Sequence, residues 1–155
     1  MKERCCCLIL NYNDSDNVQR MLNTICSYDS FDKILVVDNC STDDSYEKLQ
    51  KYVNQKIIVI KTEYNGGYGF GNNFGIKYAR NKLQCKYVLL TNPDVYYDEN
   101  LVASFLNIIT MEGVAIVSAI QHDINDYPIK DLAWRIPTPI GYALLQTKIG
   151  NKFFD

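Results

Sequence analysis

The chain has 155 residues, of which 47% are hydrophobic and 22% charged, with a net charge of −2 and a pI near 5.4. That is one domain of ordinary size with apolar material for a full core, and it excludes a disordered segment. Sixteen basic residues are scattered among eighteen acidic ones, so there is no nucleic-acid footprint. No apolar run approaches the roughly 20 residues needed to span a bilayer.

The elements alternate. Residues 5–10 are a short apolar run, the first strand. Asp14 or Ser15 caps a helix with Val18, Met21, Leu22 and Ile25 at i, i+3, i+4 and i+7. Residues 34–37 form the second strand. Ser41 and Asp44 make a capping-box pattern, with Asp in place of Glu, before a helix to about Tyr52. Residues 57–60 form the third strand. A glycine-rich loop over 65–71 leads into a helix with Phe70, Phe74 and Tyr78 at i, i+4 and i+8. Residues 87–90 form the fourth strand, Asp98 caps a helix with Val102, Phe105, Leu106 and Ile109 on one face, and residues 114–117 form a fifth strand.

Strands two, three and four are continuous apolar runs, as strands buried on both faces are. Repeated βα units of this kind predict an α/β fold: a mostly parallel, doubly wound, Rossmann-like sheet with helices on both faces and right-handed crossovers. After about Ala119 the pattern changes. Three of the four prolines, Pro128, Pro137 and Pro139, lie there, and no period is sustained. Residues 1–155 are read as one domain: a βα core over 1–118, and a loop-rich tail over 119–155. Within the tail, His122 reads as a solvated loop residue and Trp134-Arg135 as a partly buried anchor.

The six cysteines do not form a disulfide framework. Cys5, Cys6 and Cys7 are consecutive in a strand, so alternate ones face opposite sides, and no C-x-x-C spacing occurs. They read as free thiols acting as small buried hydrophobes in a reducing cytoplasm. The charged start, residues 1–4, precedes an apolar run too short for a signal peptide.

Three polar turns leave apolar strands: Asn11-Tyr12-Asn13-Asp14, Asp38-Asn39-Cys40-Ser41 and Asn92-Pro93-Asp94-Val95. Singly, each is explained as a turn or a helix start. In a doubly wound sheet, however, strands one and four flank the point where strand order reverses, so these turns converge on one crevice. Asp94 is a lone carboxylate suited to a hard cation that arrives with a diphosphate. Pro93 stiffens its approach, and Asn92 offers a neutral donor and acceptor. Asp38 can accept from a base imide or ribose hydroxyls, and Tyr12 can stack on a base. The four glycines at 66, 67, 69 and 71 let backbone approach a ligand. They fail the dinucleotide fingerprint in both registers, with Asn72 or Phe74 in the third glycine's place, and no phosphate-binding G-x-x-x-x-G-K-[ST] exists. No H-E-x-x-H or G-x-S-x-G is present either.

These segments, with Leu8-Ile9-Leu10 ahead of the first turn, Asn65–Gly75 and Leu89-Leu90-Thr91 ahead of the last, resemble glycosyltransferase family 2, amino-terminal part, in its rhamnosyltransferase-like branch. The resemblance covers about residues 5 to 118. It implies a GT-A fold and inverting transfer from a nucleoside-diphosphate sugar (UDP, dTDP or GDP type) to a glycan or lipid-linked acceptor, with Mn or Mg as the divalent metal. It implies that Asp94 contacts the metal, that Asn92 lies near the ribose, and that Asp38 binds the base beside Tyr12. Asn11, Asn13, Asn39, Gly67 and Asn73 would line the donor side. Asn92 replaces the first Asp of the family's D-x-D, and Cys40 stands where Asn or Gly is more usual. The family's acidic base is not found among Asp123, Asp126, Asp131 and Asp155, and is expected beyond residue 155. The full protein is expected in the cytoplasm, with peripheral association at the inner face of a membrane as an option. A non-catalytic nucleotide-binding module and a sugar-nucleotide nucleotidyltransferase are the alternatives, the latter disfavoured by an acidic, glycine-free first turn.

Overall fold

A computed structural model describes residues 4–123 together with Asn125, Tyr127 and Pro128. The elements are β1 (Cys5–Asn11), α1 (Ser15–Ile25), β2 (Lys33–Asp38), α2 (Ser45–Gln50), β3 (Ile57–Lys61), α3 (Tyr68–Asn81), β4 (Tyr87–Thr91) and α4 (Glu99–Ile109). The strands form one sheet in the order β3-β2-β1-β4, parallel throughout. The order runs one way from β1 to β3 and then restarts on the other side of β1, so the switch point lies between β1 and β4.

Strand alternation sorts the core into two layers. Cys5, Cys7 and Ile9 of β1, with Ile34, Val36, Ile57 and Val59, face α1, α2 and α4 through Val18, Met21, Leu22, Ile25, Leu49 and Val102. Cys6, Leu8, Leu35 and Val37 face the other way and pack with Ala79 of α3 and Cys85. The doubly wound α/β expectation therefore holds, with three helices on one face and α3 on the other. β1 and β2 are buried on both faces, as their apolar runs require.

Several expectations give way to the structure. β3 and β4 are the two edge strands among the described residues: Ile58 and Ile60 are only partly buried, and Leu90 is 49% exposed. An apolar run reports what a strand prefers to touch and not how many neighbours it has. No strand forms over 114–117. The chain leaves α4 through a turn in which Val114 N donates to the Met111 carbonyl, with Gly113 at φ 80°, and β-rich composition supplies no partner edge. The stripe of Phe70, Phe74 and Tyr78 is not the buried face of α3. That face is Gly71, Asn72, Gly75 and Ala79, while Phe74 is largely exposed. A Cβ on Gly75 would stand 2.5 Å from Leu8 Cδ1, and one on Gly71 would stand 2.4 Å from Leu10 Cδ1. The helix backbone lies directly against the Leu8, Leu10 and Val37 side chains, an approach that any Cβ would force those side chains to yield to. Phe70 instead stacks on Tyr64, with ring centroids 4.7 Å apart.

The capping box also fails. α2 begins at Ser45, and Ser41 is engaged elsewhere, as described below. Asp98 does cap α4, accepting from Leu101 N at 2.9 Å. All six cysteines are free, but only Cys5, Cys6, Cys7 and Cys85 are buried. Cys26 is exposed and Cys40 partly so, which corrects the expectation that all are core residues.

The structure divides into two compact units, one ending at Ala115 and one starting at Ile116. In the second, His122 is exposed and forms an antiparallel bridge with Pro128. Two backbone amides, from Asn125 and Tyr127, converge on the Asp123 carboxylate and hold it below the usual Asp range. Trp134-Arg135 lies outside the described residues. No helix among the described residues is long and apolar enough to cross a membrane.

Candidate functional site

The parallel register ends with Asn11 beside Asp38, the last residues of β1 and β2. Both are fully buried. Asn11 Nδ2 donates to Asp38 Oδ2 at 2.8 Å and to Ser41 Oγ at 3.1 Å, and its Oδ1 accepts from Asp14 N at 3.3 Å. The second Asp38 oxygen accepts from Ser41 N at 2.9 Å, with Lys61 Nζ 3.9 Å away. Asn13 sits in the left-handed region at φ 53° and binds across the turns: its Oδ1 accepts from Thr42 N at 2.9 Å, and its Nδ2 donates to Thr42 Oγ1 at 3.1 Å. Cys40, at φ 60°, occupies the conformation that Asn or Gly adopts most readily. Its exchange for those residues is thus a matter of backbone strain. The turns after β1 and β2 form one hydrogen-bonded lattice.

Asn39 extends the lattice toward α3. Its Oδ1 accepts from Thr62 Oγ1 at 3.2 Å, and its Nδ2 donates to Asn65 Oδ1 at 2.9 Å and the Gly67 carbonyl at 3.2 Å. Gly67, at φ 85°, is the residue from which α3 starts. Because α3 begins at Tyr68, Gly69 and Gly71 belong to the helix and not to a loop.

The β4 side differs. The segment from Asn92 to Asp98 is pinned at its far end. Tyr97 places its hydroxyl 3.6 Å from Cys7 Sγ on β1, and its carbonyl accepts from Tyr28 Oη at 2.9 Å. Burial pushes the Cys7 thiol up to about 12 and raises Tyr97 well above the ordinary phenol, so both stay protonated. Asn92 and Asp94 are exposed at the near end. Tyr68 Oη donates to Asn92 Oδ1 at 3.0 Å. Among the described residues, no hydrogen bond or ion pair engages the Asp94 carboxylate.

An open cleft of about 270 Å³ lies at the switch point, lined by Leu10, Tyr12, Asp14, Tyr68, Asn92, Pro93 and Asp94. Of the residues named from sequence, Tyr12, Asn92 and Asp94 line it. Asn11, Asn13, Asp38 and Asn39 form the lattice behind Tyr12, and Gly67 starts the helix that carries Tyr68. Asn73 is exposed on α3 and is not among the lining residues. Tyr68 and the wall-forming role of Asp14 were not singled out. An aromatic flanked by glycines at a helix start was the available signal for Tyr68. Asp14, a member of the first polar turn and a cap candidate, instead accepts from Asn17 Nδ2 at 2.8 and 3.1 Å and bonds no backbone amide.

No cluster of three or more His, Cys, Asp or Glu that could hold a metal exists among the described residues. The donor set is the exposed Asp94 carboxylate, with Asp14 on the same cleft. A hard cation is often bound by one or two carboxylates and completes its shell with substrate phosphates and water. The residues therefore fit a cation that arrives with a diphosphate, and do not form a cage of their own.

A doubly wound parallel sheet with polar strand ends around its switch point is the frame of a nucleotide-binding α/β protein. The family model of glycosyl transferase family 2 matches residues 6–154, and the chain belongs to that family. It is 28% identical over 134 residues to the low-salt glycan biosynthesis hexosyltransferase Agl10 of Haloferax volcanii, covering 86% of this chain. The chain spans 40% of the length of that relative. Among solved structures, TarS 1-349 of S. aureus is 26% identical with a TM-score of 0.56, covering 68% of this chain and 32% of that one. The mannosyltransferase PcManGT of Pyrobaculum calidifontis, in complex with GDP-Man and Mn2+, has a TM-score of 0.58, covering 72% of this chain and 34% of that one. At 15% identity that second likeness is one of fold alone. The fold is the GT-A type.

Proposed function

We propose that this chain is the donor-binding part of an inverting glycosyltransferase, which moves a hexosyl or rhamnosyl unit from a nucleoside-diphosphate sugar to a glycan or lipid-linked acceptor. One observation carries the reading: Asp94 stands exposed, and unengaged among the described residues, in a cleft at the switch point lined also by Tyr12 and Tyr68. Asp38 and Asp98, the other strand-end and helix-start aspartates, are instead engaged by backbone amides of their own turns.

In this reading the nucleotide enters along the β1–β2 turns with its base against Tyr12, and the diphosphate reaches Asn92 and Asp94. Asp94 would hold Mn or Mg, and the bound cation offsets the charge that develops on the departing diphosphate. Asp38 serves as a brace: being fully buried, it holds Asn11 and Ser41 in place and shapes the base-side wall. It would touch a base only if that turn opened. The acceptor oxygen bonds to the anomeric carbon as the bond to the diphosphate oxygen breaks. Activation of the acceptor is assigned to no residue of this chain. That gap favours one second reading, a non-catalytic nucleotide-binding module, which product formation from a nucleotide sugar would exclude. We place the protein in the cytoplasm, where nucleotide sugars and reduced thiols coexist.

Calorimetric titration with UDP, dTDP and GDP, each with and without Mn2+, tests the proposal. At least one nucleotide should bind in a Mn2+-dependent way, and Asp94→Ala should remove the dependence. A folded protein that binds none of them overturns the reading.

A further inference from the structure

The hydrogen bond between Tyr68 and Asn92 spans the cleft. It joins the first residue of α3 to the turn after β4, which are 24 positions apart in sequence. Both side chains are exposed and both line the cleft, so neither is held there by burial. The Tyr68 hydroxyl donates to the Asn92 carbonyl oxygen. The other end of the amide, Nδ2, takes no part in that contact. Among the described residues no hydrogen bond from Asn92 Nδ2 exists.

The two ends of an amide suit opposite ligands. A carbonyl oxygen can join a hard cation's shell, whereas an N–H can only meet an acceptor such as a phosphate, a hydroxyl or a base carbonyl. We infer that Tyr68 is a positioning residue that fixes which end of Asn92 faces the ligand. By drawing the carbonyl toward α3, it leaves the amide N–H of Asn92 for the oxygens of a nucleoside diphosphate, with the Asp94 carboxylate as the stronger cation ligand. This inference rests on the reading of the cleft as a nucleoside-diphosphate site.

The anchoring of α3 supports it. Gly71 and Gly75 seat the helix directly on β1 and β2, and Asn39 holds the Gly67 carbonyl at 3.2 Å. Tyr68 is therefore presented from a fixed backbone. Around Gly67 and Gly69 a Cβ would meet nothing within 4 Å, so the side of the helix start next to Tyr68 is open to a ligand.

A double-mutant cycle in the intact protein tests the assignment, using the UDP, dTDP or GDP that binds best in the presence of Mn2+. Tyr68→Phe keeps the ring and removes only the hydroxyl. At an exposed position it leaves the fold intact, which a melting curve checks. It should weaken nucleotide binding about fivefold, the order of one hydrogen bond. Asn92→Ala should weaken binding at least as much, and the double variant should bind no worse than Asn92→Ala alone. The Mn2+ concentration that supports nucleotide binding should be unchanged by Asn92→Ala. The inference is overturned if Tyr68→Phe binds as the wild type does, if the two losses multiply in the double variant, or if Asn92→Ala raises the Mn2+ requirement. A wild type that binds no nucleotide removes the underlying reading, and the inference with it.

Discussion

The turns after β2 and β4 each carry an aspartate to the same end of the sheet, and they are built in opposite ways. Asp38 is buried, accepts from Asn11 Nδ2 and Ser41 N, and has Lys61 3.9 Å away. Asp94 is exposed and engaged by nothing among the described residues. The difference follows from topology. β2 lies between β1 and β3, so the turn after it has neighbours on both sides to bond. β4 pairs only with β1 among the described residues, so the turn after it is left open. The lesson is that a carboxylate at a strand end is not by itself a ligand group. The number of neighbouring turns decides whether it is buried and bonded or left exposed.

The largest expected effect lies on the buried side. Asp38→Ala strips an acceptor from Asn11 Nδ2 and Ser41 N, at roughly 1–3 kcal/mol per buried group left unpaired. A urea denaturation midpoint well below that of the wild type is expected, and an unchanged midpoint would dissolve the contrast. Next come two identical changes of opposite sign. Gly75→Ala drives a Cβ to 2.5 Å from Leu8 and 2.8 Å from Val37, an overpacking of roughly 1–3 kcal/mol. Gly69→Ala meets open space in a helix and should stabilise by up to about 1 kcal/mol. If both shift the melting temperature the same way, α3 does not lie on the sheet as described.

Smaller still in stability is Asp94→Ala. As a surface substitution it should stay within about 0.5 kcal/mol of wild type. Its whole effect should appear in the Mn2+ dependence of nucleotide binding, so Asp38→Ala and Asp94→Ala should trade places between the melting and binding assays. Least of all, brief iodoacetamide treatment of the native protein should label Cys26 and Cys40 and spare Cys5, Cys6, Cys7 and Cys85, as mass spectrometry of peptides would show. Burial raises Cys6, Cys7 and Cys85 above the ordinary thiol, which adds low reactivity to poor access.

The sheet was legible because β1 and β2 touch apolar side chains on both faces, and a buried strand leaves a continuous run. The switch point followed from taking the βα repeats as a doubly wound sheet, and the observed strand order places it between β1 and β4. α3 was misread because two stripes coexist one position apart: Phe70, Phe74 and Tyr78 beside Gly71, Gly75 and Ala79. Hydrophobicity favours the first, while the close approach of helix to sheet selects the second. The turns were found as polar clusters, but which members face a ligand is a question of hydrogen-bond partners. Asn11 and Asp38 look alike in sequence to Asn92 and Asp94. Only the register that sets Asn11 against Asp38 turns the first pair inward.

The way α3 is seated also divides that helix between constraint and variation. Its second and third turns admit nothing larger than hydrogen where Gly71 and Gly75 meet Leu10, Leu8 and Val37. Its first residues, Tyr68 and Gly69, face open space. A lineage exploring new ligands could therefore rewrite residues 68 and 69 without disturbing the anchor. The anchor in turn would hold the side chain at position 68 in place beside Asn92. The helix works as a fixed mount with an interchangeable tip, and related proteins that prefer different ligands should differ first at that tip.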